Sequence, residues 1–241
     1  VTMALLEVSQ LRKDFGGLRA VFDLSFKLKQ GEIIGLIGPN GAGKTTVFNV
    51  ITGFIAPTSG EILLEEESLI GLKPHAIVQR GIARTFQIVK PFRNLSVLEN
   101  VTLASFLHEP NRLKAEAKAK VILRRVQLSE KANANAADLT LSEQKLLEIA
   151  RALATNPKII FLDEPMSGLN PTEVETGCEL VRRIREDGIT VILIEHHMKA
   201  IMNISDRVIV LHHGVKIADG TPREVVQNRD VITAYLGERA A

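Results

Sequence analysis

The apolar run Glu32-Ile33-Ile34-Gly35-Leu36-Ile37 leads directly into Gly38-Pro39-Asn40-Gly41-Ala42-Gly43-Lys44-Thr45, and a helix-compatible stretch, residues 46–51, follows. Strand, glycine-rich loop and helix in that order limit the fold more than any other feature of the chain. The spacing is that of a phosphate-cradling loop. Its glycines let successive backbone N–H groups turn toward one anion, and the helix that starts at once points its positive end at the same place. Lys44 supplies a point charge for β and γ phosphates, and Thr45 offers a hydroxyl to Mg²⁺, which prefers oxygen ligands in an octahedron. Thr46 adds a contact to the α phosphate. A nucleotide site is therefore expected at Gly38 to Thr46.

The rest of the chain supplies an α/β frame for that loop. Residues 5–10 and 21–28 alternate apolar and polar side chains, as half-exposed antiparallel strands do. Residues 32–37, 158–162 and 191–194 are short continuous apolar runs, which predicts buried parallel strands. Helical patterns at 46–51, 143–154 and 171–186 separate them. Between about 72 and 156 the pattern turns almost wholly helical. The expected architecture is one domain over 1–241: a core (about 1–71 and 157–241) with a mainly parallel central sheet, an antiparallel β subdomain, and a helical subdomain inserted at about 72–156. Two short runs around His212-His213-Gly214 predict a hairpin, and Thr221-Pro222-Arg223-Glu224 predicts a capped final helix.

Composition narrows the partners. Lys and Arg number 30 against 28 Asp and Glu, so charge gives no reason to expect a nucleic-acid partner. The basic cluster Lys114, Lys118, Lys120, Arg124 and Arg125 alternates with apolar residues at helical spacing and reads as a solvated helix face. The single Cys178 allows no internal disulfide and suits the cytosol. No apolar stretch approaches the roughly 20 residues needed to span a bilayer, so any membrane span is expected in a partner.

Two further strand ends carry chemistry. Lys158-Ile159-Ile160-Phe161-Leu162-Asp163-Glu164 is an apolar strand ending in two carboxylates. The first suits Mg²⁺, held opposite the loop hydroxyl; the second is placed to orient the water attacking the γ phosphate, a role typically worth about 10²- to 10⁴-fold in rate. Ile194-Glu195-His196-His197 ends the next strand. Because ligands of open α/β sheets bind beyond the carboxyl ends of the strands, His196 is expected at the γ phosphate. His197, His212 and His213 read as surface residues.

With these motifs together, the chain resembles the ATP-binding subunit of an ABC transporter over essentially its whole length. The stretches Gly81-Ile82-Ala83-Arg84-Thr85-Phe86-Gln87, Ser167-Gly168-Leu169-Asn170-Pro171, Ala218-Asp219-Gly220-Thr221-Pro222 and Ala234-Tyr235-Leu236-Gly237-Glu238 are most similar to the subunits serving branched-chain amino acid importers. The resemblance implies ATP and Mg²⁺ as ligands and ATP hydrolysis coupled to transport. It makes Gln87 the Mg²⁺-sensing glutamine, Ser167 to Asn170 the D-loop and His196 the switch histidine. Phe15 stands where the family places an aromatic against adenine; an ordinary turn hydrophobe is the alternative. The implied partners are a second ATP-binding subunit, identical or different, and transmembrane permease subunits. The implied location is cytoplasmic, peripheral on the inner face of the cell membrane. A module of a soluble assembly, or a transporter of urea or lipid, is the alternative reading.

One motif departs from the family. The signature, Leu-Ser-Gly-Gly-Gln or a near variant, falls on Leu139, Thr140, Leu141 and Ser142 when aligned without gaps, so both glycines are replaced. Thr140 and Glu143 still form a capping box for the following helix. The backbone meant to approach a phosphate has instead acquired side chains, where glycine permits close approach. In the family each ATP is clamped between the phosphate loop of one subunit and the signature of the other. The expectation is an asymmetric pair: this chain's own loop is intact, and its contribution to the partner's nucleotide is weakened. The cluster Ile88, Val89, Pro91 and Phe92 reads equally as a docking surface for a membrane helix or as buried core.

Overall fold

The computed structural model describes residues 4–237. In chain order the elements are β1 (Ala4–Phe15), β2 (Leu18–Lys29), β3 (Ile33–Ile37), α1 (Lys44–Ile51), β4 (Ser59–Leu64), β5 (Glu67–Ser68), α2 (Pro74–Gln79), β6 (Ile82–Arg84), α3 (Val97–Ser105), α4 (Arg112–Arg125) and α5 (Leu141–Ala154). They continue with β7 (Ile159–Asp163), α6 (Pro171–Glu186), β8 (Thr190–Ile194), α7 (Met198–Ile204), β9 (Arg207–His212), β10 (Val215–Gly220), α8 (Pro222–Gln227) and α9 (Arg229–Gly237). The outer limits expected at 1 and 241, and Glu238 of the ending motif, lie outside the described residues.

The strands form two sheets. A four-stranded antiparallel sheet has the order β2-β1-β4-β5, and a six-stranded sheet has the order β10-β9-β3-β8-β7-β6, parallel except for β10. Every residue of β3, β7 and β8 is buried, because both faces of this sheet are covered. Alternate side chains serve different cores, as the period of two requires. Ile159, Phe161, Ile192 and Ile194 pack with α1 and the antiparallel sheet, while Ile160, Leu162, Val191 and Leu193 pack with the helices of the other face. The continuous apolar runs thus reflect two cores sharing one sheet.

The stretch expected to be almost wholly helical contains a strand. β6 pairs in parallel with β7, Ile82 with Ile159 and Arg84 with Phe161, so the central sheet reaches inside the predicted insertion. Three residues are too few to display a strand period, and a parallel partner 77 residues away leaves no local mark; β6 is the edge of the sheet. In α4 the buried side chains are Ala115, Ala119, Ile122 and Leu123, whereas Leu113 and Val121 face solvent beside Lys114, Lys120, Arg124 and Arg125. At β9–β10, His213 and Gly214 both take left-handed φ, the pair that a two-residue hairpin turn needs.

Candidate nucleotide site

β3, β6, β7 and β8 run parallel, so their carboxyl ends deliver four loops to one edge of the sheet. After β3 the chain turns through Gly38 and Gly43 at φ 150° and 101° and enters α1 with no side-chain cap. Space forbids any other residue at these two positions. A Cβ on Gly38 would lie 2.0 Å from the Leu211 carbonyl oxygen, and one on Gly43 would lie 2.4 Å from that of Ala20. The loop is pressed onto β9 and β2. Lys44 is buried, and its Nζ donates to the carbonyls of Gly38 and Pro39 at 2.7 and 2.9 Å. Thr45 is exposed at the start of α1, with Thr46 half-buried beside it. Phe15, at the end of β1, is 43% exposed, with the Lys13 ammonium 4.9 Å from its ring centre.

The other three strand ends meet on one carboxylate. Gln87 Nε2 donates to Glu164 Oε2 at 2.9 Å, and His196 Nε2 lies 2.7 Å from Glu164 Oε1. Glu164 itself is buried, takes a left-handed φ of 50°, and donates its N–H to the Ile194 carbonyl at 3.0 Å. A non-glycine residue in this region costs roughly 1–2 kcal/mol, so the surroundings must hold it there. Of the residues expected by sequence, Glu164, Gln87 and His196 are therefore in direct contact.

Asp163 is 2% exposed and forms a buried ion pair with Arg84 at 2.8 Å through Oδ2. Its Oδ1 has no partner among the described residues. Burial pushes the Asp163 carboxyl up and the Arg84 guanidinium down; the hydrogen bond between them opposes both shifts. The guanidinium keeps its charge at any relevant pH. Arg84 also donates to Asn49 Oδ1 and sits 5.0 Å from the Phe86 ring centre. The unpartnered oxygen of Asp163 is a buried acceptor able to take a metal-bound water.

Arg84, Lys145, Glu148 and Glu195 were not singled out by sequence reasoning, yet all four contribute buried charge here. Lys145 donates to the Glu164 carbonyl at 2.7 Å, Glu148 Oε1 accepts the Phe86 N–H at 2.9 Å, and Glu195 accepts the N–H groups of Met166 and His196. Burial pushes Glu148 up to about 7. The available signal was weak: charged residues at 145 and 148, one turn apart, beside the apolar positions Leu147 and Ala150.

The segment Leu139 to Ser142 stands apart at the tip of α5. The Thr140 hydroxyl accepts the Glu143 N–H at 3.3 Å, Glu143 returns a bond to the Thr140 N–H at 2.9 Å, and Gln144 donates to the Leu139 carbonyl. Leu141 is 50% exposed and leans over the D-loop, so that a Cβ on Gly168 would lie 3.2 Å from its Cδ2. Asn170 ends the D-loop as the capping residue of α6. Ile88 and Phe92 are 71% and 50% exposed, which removes the buried-core reading of that cluster. Between it and α5 opens a cleft of 580 Å³ lined by Phe86, Gln87, Ile88, Lys90 and Arg151 and reaching Asp163.

Residues 21–167 match the family model of ABC transporters, and residues 215–241 match that of branched-chain amino acid ATP-binding cassette transporters. The high-affinity branched-chain amino acid transport ATP-binding protein LivG of Salmonella typhimurium is 46% identical over 254 residues, covering 99% of this chain and 100% of its own. Among solved structures, the ADP conformation of MJ1267, an ATP-binding cassette of an ABC transporter, has a TM-score of 0.89 at 32% identity, covering 98% of this chain and 100% of that one. The dimeric post-hydrolysis state of the cassette MJ0796, bound to ADP and Pi, has a TM-score of 0.82 at 27% identity over 90% of this chain and 99% of that one.

Proposed function

The chain belongs to the ATP-binding cassettes of ABC transporters, and from that premise we propose that it powers uptake of branched-chain amino acids through a membrane permease. It is an ATPase subunit. The observation that carries the site assignment is Glu164, gripped by Gln87 and His196 at the same carboxyl edge of the sheet from which the phosphate loop leaves. In this reading Glu164 orients a water in line with the γ phosphorus and accepts its proton as the new P–O bond forms. The bridging bond to the β phosphate breaks, and ADP and inorganic phosphate result. Lys44 and His196 offset charge on the transferred group.

The residues fit Mg²⁺: Thr45 offers an exposed hydroxyl, Asp163 keeps one unpartnered oxygen, and Gln87 borders both. When bound, the ion would neutralise charge across the β and γ phosphates. Gly38, Pro39, Asn40, Gly41, Ala42, Gly43, Lys44, Thr45 and Thr46 would hold the nucleotide phosphates, with the exposed ring of Phe15 stacking on adenine. The core and helical parts divide functionally near Gln87, where the strand β6 gives way to the insertion.

The subunit works in a pair, and its eroded tip makes that pair asymmetric. Leu139, Thr140, Leu141 and Ser142 offer a partner's ATP a capped helix end and a leucine side chain. This chain's own loop closes against an intact signature from another subunit. No helix among the described residues is long and apolar enough to cross a membrane, so a permease helix seated in the cleft beside Ile88 and Phe92 would hold the protein at the inner membrane face. The test is copurification followed by transport: the chain should bring down membrane subunits at stoichiometric amounts, and vesicles holding the complex should take up leucine on addition of ATP. A soluble partner alone, or uptake of urea or lipid in place of leucine, would displace this reading.

A further inference from the structure

α5 carries two buried charged side chains one turn apart, and each ends on the backbone of a different catalytic segment. Lys145 Nζ donates to the Glu164 carbonyl at 2.7 Å, and Glu148 Oε1 accepts the Phe86 N–H at 2.9 Å. Gln87, the next residue, donates back to the Glu164 carboxylate. The path closes on itself through one turn of helix.

Glu164 needs such support. Its left-handed backbone is unfavourable for a side chain that branches no differently from any other L residue. Its carbonyl has one other described donor, the Ser167 N–H at a longer 3.3 Å. Lys145 is itself 7% exposed, and burying an ammonium is strongly unfavourable unless the charge is matched. The match is at hand: Glu195, Glu164 and Glu148 all act on it as neighbouring negative charges. Glu195 in turn ties the N–H of Met166, at the start of the D-loop, to the N–H of His196. An apolar side chain at 145 could fill the space but would leave three buried carboxylates without their common cation.

We propose that Lys145 is a positioning residue for ATP hydrolysis: its buried ammonium fixes the backbone of Glu164 and, with Glu148, holds the Gln87–Glu164–His196 hydrogen bonds in register with α5. The proposal rests on Glu164 acting as the base.

The test uses the full chain with the variants Lys145→Met, Lys145→Arg and Glu164→Gln. Amide hydrogen exchange reads the turn from Glu164 to Ser167 in the purified chain, binding of a fluorescent ATP analogue reads affinity, and turnover is read on the complex that copurifies with it. Losing a charged hydrogen bond should raise exchange at Met166 and Ser167 about tenfold or more in Lys145→Met, and lower kcat by a similar factor with KM changed less than about twofold. Lys145→Arg should restore both to within about threefold, since it keeps the charge and a donor; a cavity of 110 Å³ beside Lys145 leaves room for it. If Lys145→Met does not fold, Lys145→Gln replaces it with the same expected directions. Unchanged exchange and kcat in a variant lacking the charge would overturn the proposal, as would an arginine variant no better than methionine. Turnover surviving in Glu164→Gln would instead overturn the base assignment. Turnover lost there but normal in Lys145→Met sinks only the role of Lys145.

Discussion

The carboxyl edge of the central sheet and the tip of α5, which the proposed function makes two halves of one kind of site, are built very differently. At the sheet edge Gly38 and Gly43 sit where only glycine fits, and Glu164 is held from two sides. At the tip, Leu141 and Ser142 carry side chains, and the Thr140 hydroxyl is occupied in capping its own helix. On the proposed reading, a subunit's equipment for its own nucleotide and its contribution to a partner's lie on different elements and can therefore change independently. α5 keeps its buried face while its tip changes.

Four measurements would break or sharpen this contrast. On the intact side, Glu164→Gln should lower kcat about 10²- to 10⁴-fold while nucleotide affinity is kept; single-turnover kinetics with a binding isotherm would check it. Lys44→Met should weaken ATP binding about 10- to 100-fold, the loss of a charge-assisted contact, read by titration with a fluorescent analogue. On the eroded side, the double variant Leu141→Gly, Ser142→Gly should raise turnover of the isolated chain about tenfold and make it depend cooperatively on ATP. Robust cooperative hydrolysis by the unaltered chain would end the asymmetry argument.

The smallest effect concerns pH. Glu148 is pushed up to about 7 from an ordinary value of 4.5, so between those limits the folded state binds more protons than the unfolded one. Stability therefore falls as pH rises through that window and levels above it, by at most about 3 kcal/mol. Glu148→Gln should flatten the fall in melting temperature between pH 5 and 7; an unchanged slope would assign it to other groups.

The phosphate loop, Asp163, Glu164 and His196 were legible because each is a short motif attached to an apolar strand. Their meeting at one edge followed from parallel strands alone. Other contributors were hidden by distance along the chain: Lys145 acts on a residue 19 positions away, Glu148 on one 62 away, and Arg84 on one 79 away. Charge in a helix or at a strand end reads locally as solvated surface, and only the tertiary neighbours make it buried. The cluster at Ile88 to Phe92 shows the converse. Apolar residues in an irregular segment give no period, so sequence left its burial open until the structure turned Ile88 and Phe92 outward.

β3, the strand that feeds the phosphate loop, has β8 on one side and β9 on the other, and the Leu211 carbonyl forms the floor beneath Gly38. All of these come from the last third of the chain. A fragment ending near Ser167 would retain the loop, Asp163 and Glu164 in sequence, yet its central strand would have neither neighbour and its loop no floor. The Gly214 N–H bonded to the Ala42 carbonyl would go too. A version truncated before β8 and β9 is thus expected to lose nucleotide binding, while a cut within the α3–α4 region followed by reassociation leaves the binding strand's neighbours in place. The residues that announce the site and the residues that build it are separate stretches of the polypeptide.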